Sequence, residues 1–164
     1  MLDSDVLASY SYFSVGGLSG VRLRVLVFPI GLIIVSFLFA LLLSPRIDTL
    51  ALGDGAAAAL GINVRALRIL CVMIASACAA SAVSFAGLLG FVGLIVPHIS
   101  RTFVGSSMRK LLPVAAIMGS TLVVIADLIG RTLFAPTEIP VGIVMAMIGA
   151  PFFFWLLLRK NTVY

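Results

Sequence analysis

The chain has 164 residues, 62% of them hydrophobic and 10% charged, with a net charge of +5. Soluble domains run at about 45–50% apolar and about 25% charged, so a mean hydropathy of +1.27 excludes a water-borne globular domain and makes lipid the solvent. The eleven basic residues lie scattered at segment ends, which fits control of membrane topology and argues against a nucleic-acid-binding patch.

The length holds roughly five membrane crossings of about 20 residues each. The N-terminus, M-L-D-S-D, lacks the basic region of a cleavable signal peptide. The first span is Val25–Leu43, an uncharged run preceded by Arg22 and Arg24. The loop 44–68 follows, S-P-R-I-D-T-L-A-L-G-D-G-A-A-A-A-L-G-I-N-V-R-A-L-R, with a short alanine helix predicted over Gly55–Leu60 between two glycines. That helix is too short to cross a membrane and too apolar for a free loop, so it should press against a protein surface.

The run Ile69–Ser100 is uncharged. As one helix it would reach roughly 48 Å, beyond a hydrocarbon core of about 30 Å, yet two full spans need about 40 residues. Gly87, Gly90 and Gly93 fall where such a run must turn, predicting a helix to about Gly87 and a shorter one from about Leu88 to Val104. Compact geometry of this kind is tolerated at membrane depth only when protein buries it. The helix over 69–87 is crowded with Ala75, Ser76, Ala77, Ala79, Ala80, Ser81, Ala82, Ser84 and Ala86, and small residues predict close packing nearly all round. Cys71 and Cys78 lie seven apart, roughly 10 Å along one helix, too far to pair and not at a zinc spacing.

The run ends on Pro97-His98, the only histidine. Proline before a helix turn reads as a boundary. With no second histidine or nearby cysteine, His98 lacks a metal-ligand set and reads as structural. The next span, Leu111–Phe134, is apolar except for Asp127 and Arg131. An intramembrane carboxylate is a functional candidate by default, while the spacing of four also allows a local ion pair with Arg131 near the surface. Glu138, beyond Pro136, marks the outer loop, and Ile139–Leu158 is the last span, closed by Arg159 and Lys160.

Placing 44–68, 101–110 and the C-terminal tail in the cytoplasm puts Arg46, Arg65, Arg68, Arg101, Arg109, Lys110, Arg159 and Lys160 there, against Arg22, Arg24 and Arg131 outside. This obeys the positive-inside rule and predicts an external N-terminus and a cytoplasmic C-terminus.

Several motifs resemble the FecCD-type permeases, the membrane subunits of ABC importers for iron-siderophores, haem and cobalamin. G-D-x-x-A-x-x-L-G (Gly53, Asp54, Ala57, Leu60, Gly61) is similar to their coupling-loop signature, and G-F-V-G-L-I-V-P-H at Gly90–His98 to their most recognisable box. Leu111-Leu112-Pro113, Ala126-Asp127, Arg131, E-I-P-V-G at Glu138–Gly142 and G-A-P-F-F at Gly149–Phe153 follow in family order. The family's W-x-x-G-S-L box departs to F-S-V-G-G-L, with Phe13 for Trp and Gly17 for Ser.

The resemblance implies an all-α integral membrane protein of about five helices plus a short cytoplasmic coupling helix. It is expected to be the C-terminal half of a ten-helix permease in a bacterial cytoplasmic (inner) membrane. It implies ATPase subunits docked at Gly53–Gly61, a second permease subunit or the other half, and an extracytoplasmic binding protein contacted by Arg131 and Glu138. Gly90, Gly93, Pro97, His98 and Asp127 take structural or coupling roles; no metal, cofactor or catalytic residue is implied, since hydrolysis would belong to the ATPase. The rival readings are a fragment of an ion-gradient-driven secondary transporter, which would place ionisable groups near the midplane, an intramembrane enzyme, which would need two catalytic side chains in one cavity, and a non-transporting remnant.

Overall fold

The computed structural model describes residues 23–132 and 139–160. The F-S-V-G-G-L box, Arg22 and Glu138 lie outside the described residues. Among those described there are six helices and no strand: α1 (Leu23–Leu50), α2 (Asp54–Ala59), α3 (Val64–Ala86), α4 (Val92–Val104), α5 (Met108–Thr132) and α6 (Val141–Lys160). Four of them, α1, α3, α5 and α6, are long and apolar enough to cross a membrane, and α4 is a shorter apolar helix.

Two expected boundaries move. The first span continues past Leu43 through S-P-R-I-D-T-L to Leu50, with Pro45 inside the helix. Pro45 has no N–H to give the carbonyl of Leu41 four residues back. The buried Ser44 hydroxyl donates to that carbonyl instead, at 2.7 Å, and the Thr49 hydroxyl donates to the Pro45 carbonyl at 2.9 Å. Side-chain hydroxyls of this kind let a membrane helix keep an interior proline. The predicted loop 44–68 is therefore mostly helix, with only 51–53 and 60–63 outside α1, α2 and α3.

The second change is at the glycine-rich box. Helix α4 begins at Val92, not Leu88, and Pro97 sits inside it rather than at its boundary. The non-helical stretch is 87–91, where Gly87 has φ 68° and Phe91 has φ 64°. Gly87 carries positive φ at no steric cost, but for a phenylalanine it is strained. Gly90 does not adopt positive φ, and Gly93 is helical. At 13 residues α4 is about 20 Å long, short of a full crossing.

Contacts group the described residues into two packed units, 86–100 with 115 onward, and 23–85 with 101–114. The first has a core of Ala126, Val141, Val144 and Met145, flanked by Leu89, Val92, Leu122, Val123, Ile129 and Ile139. Two glycines allow its close approaches. A Cβ on Gly130 would lie 2.6 Å from the Ile139 carbonyl oxygen, and the Ile139 amide donates to the Gly130 carbonyl at 3.2 Å. A Cβ on the buried Gly149 would collide with the Phe91 ring. The strained Phe91 is thus seated in a notch on α6.

The second unit is held differently. Asn63 caps α3, its side-chain oxygen accepting the Ala66 N–H at 3.0 Å. Along α3 the small-residue face is not covered as expected. Ser81 and Ala86 are buried, but Ala75, Ser76, Ala79, Ala80, Ala82 and Ser84 stay exposed. Cys71 and Cys78 are unbonded and half-buried.

Gly149→Ala should lower the thermal stability of the detergent-solubilised chain by about 1–3 kcal/mol, the usual penalty of overpacking. Phe91→Gly in the same chain, which removes both ring and strain, should recover most of that loss; an unchanged melting temperature for Gly149→Ala alone would contradict the notch.

Candidate functional site

The candidate site is α2 and its flanking turns, exposed except at Ala57 and Ile62. The chain leaves α1 through a hydrogen-bonded turn, Ala51 N–H to Ile47 O, Leu52 N–H to Thr49 O and Gly53 N–H to Leu50 O, each 3.1 Å. Gly53 occupies the position before α2 at φ 111°, a conformation that favours glycine, and its carbonyl accepts the Ala57 N–H at 3.0 Å. Helix α2 ends in a Schellman motif. The Ile62 N–H donates to the Ala57 carbonyl at 3.1 Å, the Gly61 N–H to the Ala58 carbonyl at 2.9 Å, and Gly61 takes φ 77°.

Between these ends, Ala57 is wholly buried while Leu52 and Leu60 are 74% and 69% exposed. Asp54 opens the helix, where its charge suits the positive end of the dipole. Both its carboxylate oxygens lie 3.1 Å from Nη2 of Arg68 on α3. The two side chains are about three-fifths exposed, so the pair sets orientation more than it stabilises. The pair lines a cavity of about 680 Å³, together with Ala58, Val64, Arg65, Ile69, Val72 and Met73. Gly53, Asp54, Ala57, Leu60 and Gly61 therefore share one short structure: two glycines shape it, one alanine anchors it, and Asp54 and Leu60 face outward.

Asp127 and Arg131 form the i,i+4 ion pair the spacing allowed, with Arg131 Nε 2.8 Å from Asp127 Oδ2. Asp127 is the more buried partner, with a quarter of its side chain exposed, and Arg131 is more open at the end of α5. His98 is half-buried and meets the Phe152 ring edge-on at 6.0 Å. It is an aromatic packing residue of the unit that also contains the Phe91–Gly149 contact. Gly90 and Gly93 are exposed, and Pro97 is half-buried.

Two features are not legible in the sequence. Asp48 receives the Met108 N–H at 2.7 Å and the Ser107 hydroxyl at 3.0 Å. A serine placed just before M-R-K-L-L signals a helix start, but nothing in the sequence says which carboxylate meets it. Gly149 belongs to the G-A-P-F-F motif, and its use as the seat for Phe91 depends on a contact across 58 residues.

The FecCD transport family profile matches residues 1–159. The hemin transport system permease protein HmuU of Yersinia pestis is 37% identical over 159 residues, 97% of this chain and 48% of that protein. The Fe(3+) dicitrate transport system permease protein FecD of Escherichia coli (strain K12) is 44% identical over 115 residues, 70% of this chain and 36% of that protein. A solved inward-facing structure of a metal-chelate type ABC transporter matches with a TM-score of 0.86 at 32% identity, over 96% of this chain and 52% of that one. The chain spans about half the length, or less, of these relatives.

Gly61→Val should unravel the end of α2, because a β-branched residue at φ 77° costs about 1–3 kcal/mol. Hydrogen exchange at the Gly61-equivalent and Ile62 amides should speed up in this variant and stay near wild type in Gly61→Asn, which tolerates the left-handed conformation. Equal exchange in both variants would contradict the Schellman end.

Proposed function

The chain belongs to the FecCD transport family, and we propose that it is the C-terminal half of the membrane-spanning permease of an ATP-driven importer for a metal chelate. It is a multi-pass membrane component of a transport family, and ATP hydrolysis is assigned to a separate partner. The substrate class follows the relatives, whose names specify hemin and Fe(3+) dicitrate. An iron chelate, siderophore-bound or haem, is the cargo proposed here.

The observation that carries this reading is α2. It is a six-residue helix fixed at both ends by glycine turns, buried only through Ala57, and bare at Leu52, Asp54 and Leu60. An apolar pair beside a carboxylate, raised on a rigid support, suits docking into a groove of a cytoplasmic ATPase. The charge distribution supports the same sidedness. Arg46, Arg65, Arg68, Arg101, Arg109 and Lys110 flank the helix ends assigned to the cytoplasm, as the positive-inside rule favours. The C-terminus is then cytoplasmic. ATP binding and release would press on α2 and shift the permease helices between inward and outward access.

At the other surface, Arg131 ends α5 with its guanidinium partly open and steadied by Asp127. This supports a role for Arg131, with Glu138 seven residues further along the sequence, in receiving an extracytoplasmic binding protein through charge pairing. The exposed small-residue face of α3 supports a second permease surface, from the other half or another subunit, since small residues permit the close approach that association in lipid requires.

The test is affinity purification of the chain from its native membrane in mild detergent. An ATPase and a second permease segment should co-purify; a lone chain of 17.2 kDa would reject the proposal. Gly61→Pro and Asp54→Lys should each reduce the recovered ATPase by about tenfold while leaving the membrane yield intact. Undiminished recovery in both removes α2 from the docking surface. Arg131→Glu should leave ATPase recovery unchanged and slow uptake from the binding protein by about tenfold, read as transport of labelled chelate into vesicles; full uptake would release Arg131 from that role.

A further inference from the structure

We propose that Asp48 is a positioning residue that transmits movement of α2 to the start of α5; this rests on the docking reading of α2 given above. Asp48 lies two residues before the end of α1, half-buried. Its Oδ1 accepts the backbone N–H of Met108, the first residue of α5, at 2.7 Å, and its Oδ2 accepts the Ser107 hydroxyl at 3.0 Å. One carboxylate thus uses both oxygens to hold a helix start 60 residues away. The anion also sits at the positive end of the α5 dipole, and a charged acceptor makes these bonds stronger than neutral ones.

The link from α2 to Asp48 has little slack. Only 51–53 separate α1 from α2, and all three amides donate back into the last turn of α1. A displacement of α2 therefore carries the end of α1 with it, and Asp48 with that end. Ser107 is itself anchored to α5, its carbonyl accepting the Leu111 N–H at 2.9 Å. The pull arrives at the first turn of α5 through two hydrogen bonds rather than through the chain.

Local capping is the competing explanation, and the geometry allows the two to be separated. Ser107 stands where an aspartate could cap α5 from its own chain position. Asp48→Ala with Ser107→Asp therefore restores the cap and the charge but cuts the tie to α1. In the assembled transporter, reconstituted with its ATPase in vesicles, Asp48→Ala should lower chelate imported per ATP hydrolysed by about tenfold, with ATPase recovery and hydrolysis within about twofold of wild type. Asp48→Asn, which still accepts from Met108, should retain most of the ratio. The double variant should regain thermal stability and stay uncoupled. Recovery of the import ratio together with stability in the double variant would reduce Asp48 to a cap and overturn the proposal, as would an unchanged ratio in Asp48→Ala. Failure of the wild-type chain to recover an ATPase would instead strike the underlying docking reading.

Discussion

A backbone N–H or C=O facing hydrocarbon has no water to bond, and this constraint governs where the chain can bend. Interior prolines stand in α1, α4, α5 and α6, each denying its helix one donor. At Pro45 the answer is visible atom by atom, because Ser44 fills the acceptor that the proline cannot reach. The consequence is long-range. Since α1 survives its proline, it runs on to Leu50 and delivers Asp48 and the short turn that positions α2.

The same constraint shapes the break at 87–91. An irregular backbone in a membrane protein must be covered, and here the covering is specific. Phe91 is held at φ 64° with its ring against Gly149, while Gly87 supplies the other left-handed residue. Strain of this sort persists only where surrounding packing over-determines it. The contact explains why two glycine-containing motifs far apart in the sequence belong together: one provides the knob and the other the notch.

Exposure has a different meaning in the two environments. Val27, Phe28 and Leu42 on α1 are each more than 70% exposed and suit lipid. Leu52 and Leu60 are as exposed, but they flank a six-residue helix rich in polar backbone ends and next to an ion pair. Lipid does not suit such a structure, and a protein surface does. The small-residue face of α3 lies between these cases: Ala and Ser offer lipid little area, yet they let another helix come close.

The sequence by itself is enough to establish the class of solvent, the apolar runs and the ends of the short helix marked by Gly53 and Gly61, because burial in lipid and left-handed termini are written in local composition. It also gave the i,i+4 geometry of Asp127 and Arg131, which helical periodicity alone dictates. It misplaced the end of α1, because whether Pro45 breaks a helix depends on what satisfies the freed carbonyl and not on the proline, and the start of α4, because Phe91 takes a left-handed conformation that only its seat against Gly149 accounts for. It could not name Ser107 and Met108 as partners of Asp48, or Phe91 as the neighbour of Gly149. Those pairings join residues about 60 positions apart. Local pattern says that a carboxylate or a glycine is useful, and only the folded chain decides to which distant group.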